Sequence, residues 1–111
     1  MSITIIVNSN VLGRGPDELG ERLMSSFLRK LCMQQEKPSA IVFYNSGVHV
    51  LAGGSATLDA LEALAEAGVD LIACGTCVAF YELKDSIFVG RMSDMHEIVA
   101  TLMHSTKVIT I

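Results

Sequence analysis

The chain has no tryptophan, only two prolines, and aromatic side chains at 5% of its positions. Charged residues, at 18%, fall below the ~25% of an ordinary soluble domain. The eight lysines and arginines never gather beyond Arg29-Lys30 and the net charge is −4, so the basic footprint that nucleic acid demands is missing. No apolar run approaches the ~20 residues of a membrane span. The start, Met1 to Val7, carries neither the basic flank nor the cleavage site of a secretory signal. Cysteine is scarce and odd in number: of the three, two stand as Cys74-Gly75-Thr76-Cys77, which is not the spacing of a secreted disulfide framework. These shortages predict reduced thiols in a cytoplasmic protein with no membrane and no nucleic-acid partner.

Apolar residues, by contrast, make up half of the 111 positions. That excludes disordered and low-complexity classes. It fits a single domain over residues 1–111, in which a chain of this size buries roughly 65% of its unfolded surface. Short β-branched runs alternate with longer segments of helical period. Five strands are predicted, at Ile3–Val7, Ala40–Phe43, Val69–Ala73, Ser86–Val89 and Lys107–Ile111. Several are apolar at consecutive positions, the mark of parallel strands covered on both faces. Helices are predicted from Asp17 to about Gln34, with Leu19, Leu23, Phe27 and Leu31 as its apolar stripe, widened by Met24, Leu28 and Cys32. Others follow from Ser55, as N-cap, to Gly68, from Thr76 or Cys77 to Leu83, and from Ser93 or Asp94 with Met95, Ile98, Val99 and Leu102 inward. The pattern is α/β, a three-layer sandwich whose five-stranded, mainly parallel sheet has helices on both faces.

Sheets of this kind place their chemistry outside the carboxyl ends of the strands. The segments delivered there are Asn8-Ser9-Asn10 through Gly15, Tyr44-Asn45-Ser46-Gly47, Cys74 to Cys77, and Gly90-Arg91. Gly13-Arg14-Gly15 is neither a phosphate loop nor a dinucleotide fingerprint, and its glycines read as turn residues. A receiver domain would need carboxylates where this chain has Asn8 and Cys74. The pair Cys74 and Cys77 is the most informative feature. A thiol opening the helix after the third strand points into unpaired N–H groups at the positive end of a helix dipole, which lowers its pKa from ~8.5. Thr76 is a possible N-cap of that turn. His49, His96 and His104 lack paired spacing, so no metal is expected at the cysteines, and no cofactor is implied. Cys32, on the stripe of the first helix, reads as core. The aliphatics of Gly47–Gly54 either fold over their own core or cover a neighbouring subunit. Arg91 and Asp94 either line the rim or cap and pair on the last helix.

On Leu12–Gly20, Phe43–Val48, Cys74–Cys77 and Val89–Met95 together, the sequence resembles the DsrE/DsrF family of small sulfur-relay proteins. It is most like the carboxyl-terminal domain of YedF-type, sulfurtransferase-like proteins of selenium metabolism. The resemblance runs through nearly the whole chain in order. It implies a DsrE-like fold and a persulfide carrier, sulfur or selenium being held on Cys77 with Cys74 in the same motif. It also implies a homo-oligomer, a trimer or hexamer. By this reading the sulfur-carrier domain that precedes this domain in the selenium-type proteins is expected to be absent. A partner in trans is therefore expected, a sulfur-carrier protein of TusA type or a cysteine desulfurase.

The residues then suggest roles. Cys77 takes the sulfur and Cys74 releases it as sulfide; Asn8, Ser9, Asn45, Ser46, Gly75, Thr76 and Arg91 line the substrate side. Two readings from other classes stand beside this one: a thiol-disulfide redox protein without sulfur transfer, and a non-enzymatic binding subunit of a homo-oligomer.

Overall fold

Runs of β-branched residues form the sheet, and the helical-period segments between them form its cover. In the computed structural model, which describes residues 2–111, the elements follow in this order: β1 Ile3–Val7, α1 Asp17–Cys32, β2 Ala40–Phe43, a 3-10 segment Asn45–Leu51, α2 Leu58–Glu66, β3 Asp70–Cys74, α3 Gly75–Phe80, β4 Arg91–Ser93, α4 Met95–His104 and β5 Lys107–Thr110. The strands make one sheet ordered β4-β3-β2-β1-β5, every neighbouring pair parallel.

Strand order explains the layers. The steps from β1 through β2 and β3 to β4 all run toward one edge, and right-handed crossovers then stack α1, α2 and α3 on one face. The return from β4 to β5 runs the other way and sets α4 on the opposite face. Residues alternate accordingly. Ile5, Val7, Ile41, Phe43, Leu71 and Ala73 meet Met24, Leu28, Leu61, Leu64 and Val78 in the larger core. Ala40, Val42, Ile72 and Cys74 meet Ile98 of α4 in the smaller one. Leu28, Leu61 and Leu64 are wholly buried, and burial of each stabilises by about 2 kcal/mol.

Local signals hold at several ends. Asp94 caps α4 by accepting from the Glu97 N–H at 2.9 Å. Gly68 follows α2 at φ +96 and lets its own N–H and that of Val69 close back on Ala65 and Leu64, a C-terminal turn that glycine favours.

Other expectations are corrected. The fourth strand is Arg91–Ser93, not Ser86–Val89. Gly90, at φ +85 and too close to the Leu71 carbonyl for a Cβ, turns the chain onto the sheet edge only there. The earlier run instead lies across the 3-10 segment, with Ile87 bridging Ala52. Of the predicted stripe of α1, Met24 and Leu28 are buried as expected, joined by Gly20. Leu19 and Leu23 are exposed; they lie one position off the line that meets the sheet. α2 begins at Leu58, because Ser55 spends its hydroxyl on the Thr57 N–H and Oγ1. On α4 only Ile98 is fully buried, while Met95 and Val99 are each 50% exposed. Of the two readings for Gly47–Gly54, the intramolecular one holds: Val48, Val50 and Leu51 are buried in their own core.

Candidate functional site

The carboxyl ends of β2 and β3 lie side by side, with Phe43 in register with Ala73. β3 closes on Cys74, which alternation turns toward α4 and which is 2% exposed. Gly75 begins α3; a Cβ there would stand 3.2 Å from the Ser93 carbonyl oxygen. Cys77 is the third residue of the helix, half-buried, and packs against both cores.

The neighbouring strand supplies the partner. After Tyr44 the chain enters Asn45 at φ +51, a left-handed conformation that asparagine adopts more readily than most residues. Its N–H donates to Cys77 Sγ at 3.0 Å. Its side-chain Oδ1 accepts from the Ser46 N–H at 2.9 Å and from the Tyr81 hydroxyl at 3.1 Å. Tyr81 ends the helix that Cys77 begins, and its own N–H donates to the Cys77 carbonyl at 3.0 Å. The Tyr81 ring lies against the His49 ring, centroids 4.5 Å apart. The loop after β1 joins through the Asn10 N–H, which donates to Ser46 Oγ at 3.3 Å. Gly47 lets the segment sit so low, since a Cβ there would fall 2.2 Å from the Val7 carbonyl oxygen.

Three influences act on the Cys77 thiol. Burial pushes its pKa up, the Asn45 N–H pulls it down, and the adjacent Cys74 pushes it up again, the net direction being upward. The expected acidic thiol is thus corrected. α3 has six residues, so few aligned peptides oppose the desolvation of a sulfur set between two cores.

Of the residues predicted for the site, the structure brings together Cys77, Cys74, Asn45, Ser46 and Gly75. Thr76 is exposed within α3 and caps nothing; Cys74 holds the N-cap position. Asn8 is exposed on the loop after β1, and Ser9 accepts from the Val11 N–H at 3.2 Å. Arg91 is elsewhere. Its guanidinium donates to both oxygens of Asp70 at 2.9 Å and to Glu97 at 2.9 and 2.6 Å, and Glu97 also accepts from Ser93. Asp70 opens β3 where Cys74 closes it, roughly 13 Å away at the rise of a strand. Arg91 therefore has the pairing fate rather than the rim. Tyr81, His49 and Asn10 were not among the predicted site residues. Tyr81 stands four positions after Cys77, on the same helix face, and that spacing is the signal that points to it. Cys32, as expected, packs against the core, its thiol donating to the Ala60 carbonyl at 3.3 Å. Among the described residues, no three His, Cys, Asp or Glu side chains gather as a metal site.

A family model described as the DsrE/DsrF-like family matches residues 1–111. The chain belongs to this family. Solved structures agree at the level of the fold. The ychN protein from E. coli superposes with a TM-score of 0.75 at 17% identity, covering 99% of this chain and 98% of that one. MTH1491 from Methanobacterium thermoautotrophicum, a protein of unknown function, gives 0.72 at 21% identity over 99% of this chain and 98% of that one. No curated protein sequence matches the chain. Membership in the DsrE/DsrF-like family points to chemistry of the sulfur-relay type. Among the described residues, no helix is long and apolar enough to cross a membrane.

Proposed function

We propose that this DsrE/DsrF-like protein carries sulfur, or selenium, as a persulfide on Cys77 and hands it on. The observation that carries the reading is the backbone donor of Asn45 aimed at Cys77 Sγ at 3.0 Å, with the thiol of Cys74 beside it. The Cys77 thiolate attacks the outer sulfur of a donor persulfide. The donor's S–S bond breaks, Cys77 gains the terminal sulfur, and the donor leaves as a thiolate that takes up a proton. Cys74 can then attack the inner sulfur of Cys77–S–SH. Hydrosulfide leaves with the electron pair of the broken bond, and a Cys74–Cys77 disulfide forms, to be reset by a dithiol reductant. Because burial holds the resting thiol protonated, the thiolate fraction is small, and loading speeds up as the pH rises from 7 toward 9.

Cys77 is half-buried at the carboxyl rim of the sheet, and the donor in this reading is a protein that presents its own persulfide there: a sulfur-carrier protein of TusA type or a cysteine desulfurase. Self-association is part of the proposal. It is supported by Met95, Val99 and Met103, exposed apolar residues at four-residue spacing on α4.

Intact-mass measurement after incubation with a cysteine desulfurase and cysteine tests the transfer. Wild type gains one sulfur atom transiently, Cys74→Ser holds it longer, and Cys77→Ser never loads. Equal loading of both variants overturns the assignment. The contact between the two thiols also favours a redox protein without transfer. Loss of two hydrogens under oxidant, with no sulfur adduct from any donor, would establish that reading instead.

A further inference from the structure

We infer that Tyr81 is a positioning residue, whose hydroxyl fixes the Asn45 backbone so that its N–H stays aimed at the sulfur of Cys77. The inference rests on Cys77 as the reactive sulfur and adds the device that orients its donor.

Among the described residues, Asn45 is one of two non-glycine residues at positive φ, a conformation that its surroundings hold in place. Two bonds do so, both on Oδ1: the Ser46 N–H from within the turn and the Tyr81 hydroxyl from outside it. The outside bond is the one that ties the turn to α3. Cys77 and Tyr81 stand at the first and last turns of that helix, so Asn45 is held at both ends of one short element. Its backbone N–H lies on the sulfur at the start, and its side-chain Oδ1 accepts from the phenol at the end. His49 backs the phenol ring and limits its swing. Without the hydroxyl, Oδ1 keeps only the local bond, and the peptide is free to tilt off the sulfur. A donor to sulfur favours its ionised form, so the loss should be legible in the titration of Cys77.

The groups that face Cys77 are Cys74 from β3, Asn45 from the 3-10 segment with His49 behind it, and Tyr81 from α3. On β4, the Arg91 guanidinium is engaged by Asp70 and Glu97. Tyr81→Phe alters none of these but Tyr81 itself.

The experiment is the pH profile of Cys77 alkylation by iodoacetamide, with the modified cysteine assigned by peptide mass. Tyr81→Phe keeps the ring on His49 and removes only the hydroxyl. Its midpoint is expected to rise by about half a pH unit, with the rate at neutral pH down by about threefold. Asn45→Gly, which keeps positive φ and the N–H but has no Oδ1, should match it. The double variant should be no worse than either single one, because both break the same link. A Tyr81→Phe profile superimposable on wild type overturns the inference, as does an additive double variant. No sulfur donor is used, so this result is read independently of persulfide loading.

Discussion

At the scale of single residues, the site depends on one atom that is missing. Gly47 does not have positive φ; it is glycine because its α-carbon lies against β1. A Cβ would meet the Val7 carbonyl oxygen at 2.2 Å and the carbonyl carbon at 2.9 Å, and backbone atoms in the middle of a sheet cannot step aside. Gly47→Ala should therefore lower stability by about 3 kcal/mol, the upper range for overpacking, as read by denaturant melts. It should also lift the Asn45 turn away from Cys77. A melt within 0.5 kcal/mol of wild type, the scale of neutral surface changes, would show that the segment can ride up freely. At this same scale the sequence was most and least legible. Cys74, Cys77, Asn45 and Ser46 were visible as polar or reactive residues following apolar runs. The acidity expected of Cys77 was not realised, because desolvation by two cores is a non-local quantity that outweighs a six-residue helix.

At the scale of elements, strands with dense β-branched character were found within a residue of their places, whereas the three-residue edge strand β4 was displaced. An edge strand so short has no periodicity to read, and its position follows from the turn at Gly90. What holds it is side-chain chemistry: Arg91 of β4 binds Asp70 of β3 and Glu97 of α4. The Arg91 guanidinium and the Ser93 hydroxyl hold the Glu97 carboxyl down from its ordinary 4.5 to about 2. A carboxyl depressed on folding contributes stability above its unfolded pKa, and that contribution is lost as the pH falls through the folded value. Wild type should therefore be more stable than Glu97→Gln at neutral pH, with the gap narrowing between pH 4.5 and about 2 in thermal melts. The gap is small, since the pair is more than a third exposed and screened by solvent. A gap independent of pH would remove Glu97 from the tie.

At the scale of the whole molecule, the topology leaves the two faces unequal. Three crossovers cover one face and a single helix of ten residues covers the other. On that side Val108 is 42% and Met103 78% exposed, together with Met95 and Val99. Apolar surface arranged this way is what an interface between copies uses. Native mass spectrometry is expected to give more than one subunit, and the paired change Val99→Glu/Met103→Glu should shift the population toward monomer with the helical signal retained. A wild type that is monomeric at micromolar concentration would end that proposal. A free apolar face of this sort was hidden in the helical pattern of α4: Met95, Ile98, Val99 and Leu102 all read as inward, and periodicity cannot tell a core from a contact with another chain.

By itself the sequence determined the alternation of strands and helices, the parallel sheet, and the placing of a cysteine pair where the third strand gives way to a helix. These are properties of residue type and spacing along a few neighbouring positions. Tertiary structure alone decided that Asn45, 32 positions before Cys77, turns its amide onto that sulfur, that Arg91 faces the other end of β3, and that the thiol titrates upward. Each of these depends on which strands lie side by side and how deeply they are covered, and short-range pattern carries no measure of either.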